Sequence, residues 1–189
     1  IPEEMHQKYP VLLFSKAWIL YMQTKIEELV ATVHQLEELL DKTTIEDEVI
    51  GELAFFQGIL MYFEGEGEKS LEYLYEARSK LPKKTGLITG EIDYMICLAS
   101  QMCVEEEKAI KTTMQNIALA NSSDSDFLTR EYAGLVSIYL LAGDLLKANA
   151  AVQQVQPMAE KTQSVYALSW SEYLAAATSF HLSDLANAL

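Results

Sequence analysis

Ser70, Ala109 and Ala148 stand 39 positions apart, each early in a stretch whose apolar residues recur at helical spacing. A fixed period of roughly 20–50 residues constrains a fold more than any composition does, because a single repeat cannot bury its apolar face alone and must stack on its neighbours. The turn segment Leu141-Ala142-Gly143-Asp144-Leu145-Leu146-Lys147-Ala148 has a counterpart in Tyr62-Phe63-Glu64-Gly65-Glu66-Gly67-Glu68-Lys69-Ser70, with a glycine five residues before the small residue in both. One further step reaches Leu182 to Ala188, offset by one, and a step backwards reaches Gln23 to Leu29. Five units therefore fit a period near 39–41 residues.

Strand signals are missing, with no alternating runs bounded by Asn-Gly or Asp-Gly. Apolar residues recur at three and four positions instead, as in Ile26, Leu29, Val33, Leu36, Leu40 and again in Leu53, Phe56, Leu60, Phe63. The spacing predicts ten helices, over about 10–23, 25–41, 44–63, 67–80, 86–103, 105–120, 125–142, 144–156, 163–181 and from 183 onward. Thr43 and Glu46 form a capping box before the third of these, and Pro10, Pro82 and Pro157 fall near predicted ends.

In a tetratricopeptide hairpin, a small residue in the first helix and another early in the second let two backbones approach, and a glycine permits the tight turn between them. Gly58 and Ala77, followed by Pro82, suit those positions, and Ala17, Cys97, Val136 and Ala176 take the slot of Gly58 in the other units. The unit around Val104 lacks the turn glycine, and Leu29 replaces the small residue of the first. The expected fold is all-α: a right-handed superhelix of tetratricopeptide-like antiparallel helix hairpins, forming one domain over residues 1–189.

Twenty-eight acidic residues against fourteen basic ones give a formal charge of −14, a field that repels phosphate backbones and argues against direct nucleic-acid binding. The best apolar stretch, Val11 to Met22, is interrupted by Ser15 and Lys16 and falls short of the roughly 20 residues a spanning helix needs, so no membrane partner is expected. Cys97 and Cys103 lie six apart on one predicted helix and face different sides of it, so neither a disulfide nor a metal clip follows. Two free thiols suit a reducing compartment, and a cytoplasmic location is expected.

Tyr9-Pro10-Val11-Leu12-Leu13-Phe14-Ser15-Lys16-Ala17-Trp18-Ile19-Leu20 and Gly51-Glu52-Leu53-Ala54-Phe55, opening a hairpin that ends in Ser79-Lys80-Leu81-Pro82, add to the period near 39. Together they resemble the superhelical sensor region of MalT-like, LuxR-family ATP-dependent transcription regulators. That resemblance implies a larger multidomain regulator of which this chain, starting at Ile1 and stopping at Leu189, is a fragment. An upstream nucleotide-binding switch module would hold ATP, a downstream helix-turn-helix would contact DNA, and the superhelix would receive an inducer. No phosphate-binding loop and no basic recognition helix occurs in these residues, so no cofactor is expected in this chain. The alternative is a plain scaffold that docks a protein segment on its concave face.

Tetratricopeptide geometry would send one stripe of each first helix to that face: Phe14, Trp18 and Tyr21; Phe55, Ile59 and Tyr62; Tyr94 and Gln101; Arg130 and Ser137; Trp170, Tyr173 and Phe180. The candidates for a small-molecule inducer or a docked segment are Trp18, Tyr21, Phe55, Tyr62, Tyr94, Arg130, Trp170 and Tyr173. The same residues read more readily as core or as packing against the neighbouring helix, and Arg130 as the intramolecular partner of Glu131 or Glu91. His6, His34 and His181 are scattered, with no second ligand at metal-site spacing, and the acidic runs have the look of solvated faces, so neither a metal nor an enzymatic activity is expected. Asn121-Ser122-Ser123 matches a glycosylation acceptor but reads as the loop before a helix. The apolar residues of the last predicted helix are expected to fray or to pair with another copy of the chain, which allows self-association.

Overall fold

The computed structural model describes residues 10–40, 46–81, 86–121 and 123–183, and among these the chain forms nine α-helices and no strand. They are α1 (Pro10–Met22), α2 (Ile26–Leu40), α3 (Asp47–Phe63), α4 (Gly67–Lys80), α5 (Leu87–Met102), α6 (Glu106–Leu119), α7 (Ser125–Leu141), α8 (Leu145–Thr162) and α9 (Val165–His181). The tenth predicted helix, and Thr43 of the predicted capping box, lie outside the described residues. Glu46 stands at the N-cap of α3 and makes no side-chain cap there.

The repeat is written in the backbone. Thr24, Gly65, Val104, Gly143 and Ser183 each have positive φ, between 55° and 83°, and each stands in the turn after an odd-numbered helix. Only glycine adopts this region freely, because a Cβ crowds the following carbonyl there. Thr24, Val104 and Ser183 take the left-handed conformation without being glycines, and at Val104, with φ 57°, a β-branched side chain bears the strain.

By its contacts the chain divides into two compact units, Ile1–Pro82 and Lys83–Leu189. In the first, α1 packs on α2, α2 on α3 and, most extensively, α3 on α4. A Cβ added at Gly58 would stand 2.8 Å from Leu74 Cγ, and Ser70 Oγ donates to the Gly58 carbonyl at 2.8 Å, so the two small residues 12 positions apart hold α3 and α4 together. At the other end of the hairpin, Lys80 Nζ in the last turn of α4 meets Asp47 Oδ1 in the first turn of α3 at 2.6 Å. Leu29, in the slot where later units carry Ser70, Ala109 and Ala148, is completely buried, as is Ala17 opposite the same register. The first unit thus fills a small slot with a full-sized side chain without exposing it.

In the second unit α5 lies along α7, and α8 and α9 pack on α7 and on each other. Two glycines set the α5–α7 approach: a Cβ at Gly90 would stand 2.9 Å from Arg130 Cβ, and one at Gly134 2.8 Å from Cys97 Sγ. Cys97 joins Ala109 and Ile138 in one buried cluster, and Val136 joins Ala148 in another, which repeats the Gly58–Ser70 pairing at each 39-residue step. One helix end departs from the sequence reading. α8 runs through Pro157 to Thr162 instead of stopping near 156, and the proline is tolerated because Gln153, whose carbonyl loses its donor, is on the solvent side. Asp144 caps the start of α8 through the Lys147 amide, and Ser164 caps α9 through Ala167.

Candidate functional site

In the first unit the aromatic residues of α1 and α3 pack on one another. Trp18 stacks on Phe55 with ring centroids 4.9 Å apart and an interplanar angle of 19°, while Tyr21 meets both rings edge-on at 6.0 and 5.8 Å. Phe56 closes the nest 5.1 Å from Trp18. Phe55 and Phe56 are fully buried, and full burial of such a side chain contributes about 1.5–3 kcal/mol. Trp18 Nε1 donates to Glu52, one turn before Phe55 on α3. Burial pushes the Glu52 carboxyl above its ordinary value, and the Trp18 hydrogen bond offsets part of that rise. Tyr62 is not brought into this nest: its ring pairs with the neighbouring Phe63 at 5.6 Å. Phe14 and Ile59 of the same predicted stripe are core residues.

In the second unit α5, α7 and α9 bring Tyr94, Arg130, Trp170 and Tyr173 together. The Arg130 guanidinium is buried beneath Trp170, its central carbon 4.0 Å from the ring centroid, with the rings of Tyr94 at 5.1 Å and Tyr166 at 5.3 Å. Three rings around one cation each contribute about 0.5–2 kcal/mol of attraction where water is excluded. Arg130 Nε pairs with the Glu91 carboxylate; Arg130 is 3% exposed and Glu91 1%. Of the two partners open in the sequence, Glu91 and Glu131, it is Glu91 that takes the ion pair. Tyr94, whose hydroxyl interacts with Ser137, and Tyr166 both have their phenols pushed upward by burial, so both keep their protons at ordinary pH.

The Tyr166 hydroxyl interacts with the guanidinium over which its ring lies, so the tyrosine belongs to the same buried polar group as Arg130 and Glu91. Trp170, meanwhile, has a second environment. With Ser169 and Tyr173 it walls an open cavity of about 300 Å3, and Tyr173, edge-on to Trp170 at 5.5 Å, is 62% exposed. Phe180, further along α9, is also exposed, and its ring pairs with His181 at 5.7 Å. Sequence reasoning passed over Tyr166, yet its spacing from Trp170 and Tyr173, at four and seven positions, puts it on their helix face.

A separate polar seam crosses α5, α6 and α7. Asn116 Nδ2 donates to Asp93 Oδ2 at 3.2 Å and faces both oxygens of Glu131 at 3.3 and 3.4 Å. Next to it Cys97 Sγ lies 3.3 Å from Thr113 Oγ1, and burial pushes this thiol up to about 12, which leaves it an inert packing group. Neither cysteine is in a disulfide. Among the described residues no cluster of three histidine, cysteine or acidic side chains is placed to hold a metal ion, and no helix is long and apolar enough to cross a membrane.

No protein-family model matches the chain, and comparisons with curated proteins and with solved structures find nothing similar to it.

Proposed function

We propose that the chain is the regulatory binding module of a larger transcription regulator of the MalT-like, LuxR-related kind, and that its receptive site is the Arg130 box of the second unit. On this reading the hairpins wind into a right-handed tetratricopeptide-like superhelix, the module works in the cytoplasm, and ATP and DNA are handled by other parts of the regulator. The observation that carries the reading is the double environment of Trp170: one buried cation lies 4.0 Å from its ring, and the same side chain walls an open cavity of about 300 Å3. A half-open aromatic wall backed by fixed polar groups is the usual make-up of a small-ligand site.

The first unit supports no such role. Of its candidate residues, Trp18, Tyr21 and Phe55 are spent on one another, and Phe55 has no exposed surface.

A ligand that binds only the folded state raises stability by RT ln(1 + [L]/Kd). A thermal-shift screen against mono- and oligosaccharides, nucleotides and amino acids is expected to give a concentration-dependent rise with one chemical class, lost in Trp170→Ala and kept in Tyr62→Phe. A rise that survives Trp170→Ala places the site elsewhere.

A second reading, a protein-docking scaffold, is favoured by one feature: an apolar groove of about 440 Å3 along α6, where Ile110, Met114 and Ala118 line one helix face. No thermal shift with any small molecule, together with binding of an amphipathic helical peptide that Met114→Glu abolishes, would select it.

A further inference from the structure

Asp93 on α5 and Glu131 on α7 are 7% and 1% exposed, and both reach one nitrogen of α6. Asn116 Nδ2 lies 3.2 Å from Asp93 Oδ2 and 3.3 and 3.4 Å from the two oxygens of Glu131. An amide nitrogen of this kind has two hydrogens to give, and three carboxylate oxygens stand within its reach. The Cys97 thiol marks the same spot: burial raises it most, and Glu131 and Asp93 each raise it further.

The groups around the two carboxyls decide their charge. On α5, Cys97 is kept neutral by burial, and Glu91, two positions before Asp93, faces another side of the helix, where it pairs with Arg130. On α7, Arg130 turns its Nε to that Glu91 and its guanidinium to Trp170, and Asp126 accepts from Ser164. The neighbours that α6 contributes, Asn116 and Thr113, are neutral, and its charged residues Glu107, Lys108 and Lys111 are exposed. Lys147, Glu160 and Lys161 of α8 and Glu172 of α9 are exposed as well.

Two like charges set side by side out of water repel strongly, and two carboxyls in that position titrate as a pair that keeps one proton. We infer that Asp93 and Glu131 share one proton, and that its loss as pH rises loosens the joint of α5, α6 and α7. With the proton in place the pair carries one charge, which the Asn116 amide serves with both its hydrogens. Without it, two charges compete for the same amide. The folded state thus holds this proton more tightly than the unfolded chain. The stability it brings is complete below the ordinary carboxylate range and is lost as pH rises through the raised value of the pair. None of this depends on the second unit receiving a ligand.

The test uses the intact chain carrying Glu52→Gln, which silences the raised carboxyl of the first unit. Infrared spectra in heavy water at pH 7 are expected to show the carbonyl band of a protonated carboxyl. Adding either Glu131→Gln or Asp93→Asn is expected to abolish it, since the carboxylate that remains has Asn116 to itself. Absence of the band, or its survival in either variant, overturns the sharing; a surviving band belongs to one carboxyl protonated by burial alone. Melting across pH 5 to 9 reads the consequence for the fold. The chain with both carboxyls is expected to lose about 3–5 °C for each unit by which the ionisation of the pair is displaced, and the two variants to vary less with pH. A decline as steep in the variants as in their parent overturns the switch. Should one variant fail to fold, the other and the infrared band of the parent keep the test decisive.

Discussion

The aromatic residues of the two units occupy the same kind of position, on odd-numbered helices of a repeat, and do opposite things there. In the first unit Trp18, Tyr21, Phe55 and Phe56 stack into a closed nest in which the Trp18 N–H is met by Glu52. In the second unit Tyr94, Tyr166 and Trp170 surround the buried Arg130–Glu91 ion pair. One arrangement is what packing alone would select. The other sets a buried charge pair where well-packed apolar side chains of similar volume would serve stability as well or better.

That difference can be broken most forcefully at its centres. Arg130→Met leaves Glu91 buried without its partner and is expected to cost about 3–5 kcal/mol in urea unfolding, whereas the double variant Arg130→Met with Glu91→Leu is expected to recover most of that loss or to exceed the parent protein. Phe55→Ala in the first unit costs a similar amount, about 3–5 kcal/mol. No second substitution is expected to restore it, because nothing there was working against packing. A double variant as unstable as Arg130→Met would show that the ion pair is structural cement after all.

The repeat itself supplies the next contrast. Gly58→Ala would drive a Cβ to 2.8 Å from Leu74 Cγ, and overpacking of this kind costs about 1–3 kcal/mol. At the turns the sign reverses. Val104 is a β-branched, 83% exposed residue held at φ 57°, and Val104→Gly is expected to raise stability by about 1 kcal/mol. Gly143→Val, at the equivalent turn with φ 74°, is expected to lower it by about the same amount. Calorimetric melting of the pair checks both, and a destabilised Val104→Gly protein would mean that the five turns are not equivalent.

The smallest expected effect concerns pH. Because burial raises the Glu52 carboxyl in the folded state, that state holds the proton more tightly than the unfolded chain. The stability this group contributes is complete below the ordinary carboxylate range and is lost as pH rises through its raised folded value. Glu52→Gln should flatten that decline. Trp18→Phe removes the hydrogen bond that holds the value down and should extend the decline to higher pH. Melting temperatures across pH 4 to 8 that run parallel for all three proteins would contradict this account.

The helical repeat was legible because it lives in spacing. The 39-residue step between small residues and the three-and-four pattern of apolar ones are properties of the chain alone, and the structure places Gly58 on Ser70, Cys97 by Ala109 and Val136 by Ala148 as that step requires. The turn at Val104 was harder to see, since nothing in a valine announces a left-handed backbone; only its place 39 residues from Gly65 and from Gly143 does. The continuation of α8 through Pro157 depends on which side of the helix meets solvent, which spacing does not report. For the candidate site, sequence pattern named Trp18, Tyr21 and Phe55 beside Tyr94, Arg130, Trp170 and Tyr173 without telling the two groups apart. Whether an aromatic stripe closes on itself or surrounds a charge is decided by Glu52 and Glu91, single acidic residues contributed by α3 and α5. Tyr62 was grouped with the first set by register, and its ring pairs with Phe63 instead.

The central claim is that the second unit receives a ligand and the first does not. Hydrogen–deuterium exchange of the whole chain, with and without the compound that gives the largest thermal shift, tests it most directly. Added protection is predicted in α5, α7 and α9, around Tyr94, Arg130 and Trp170, with α1 to α4 unchanged. Protection concentrated in α1 and α3, around Trp18 and Phe55, would contradict it.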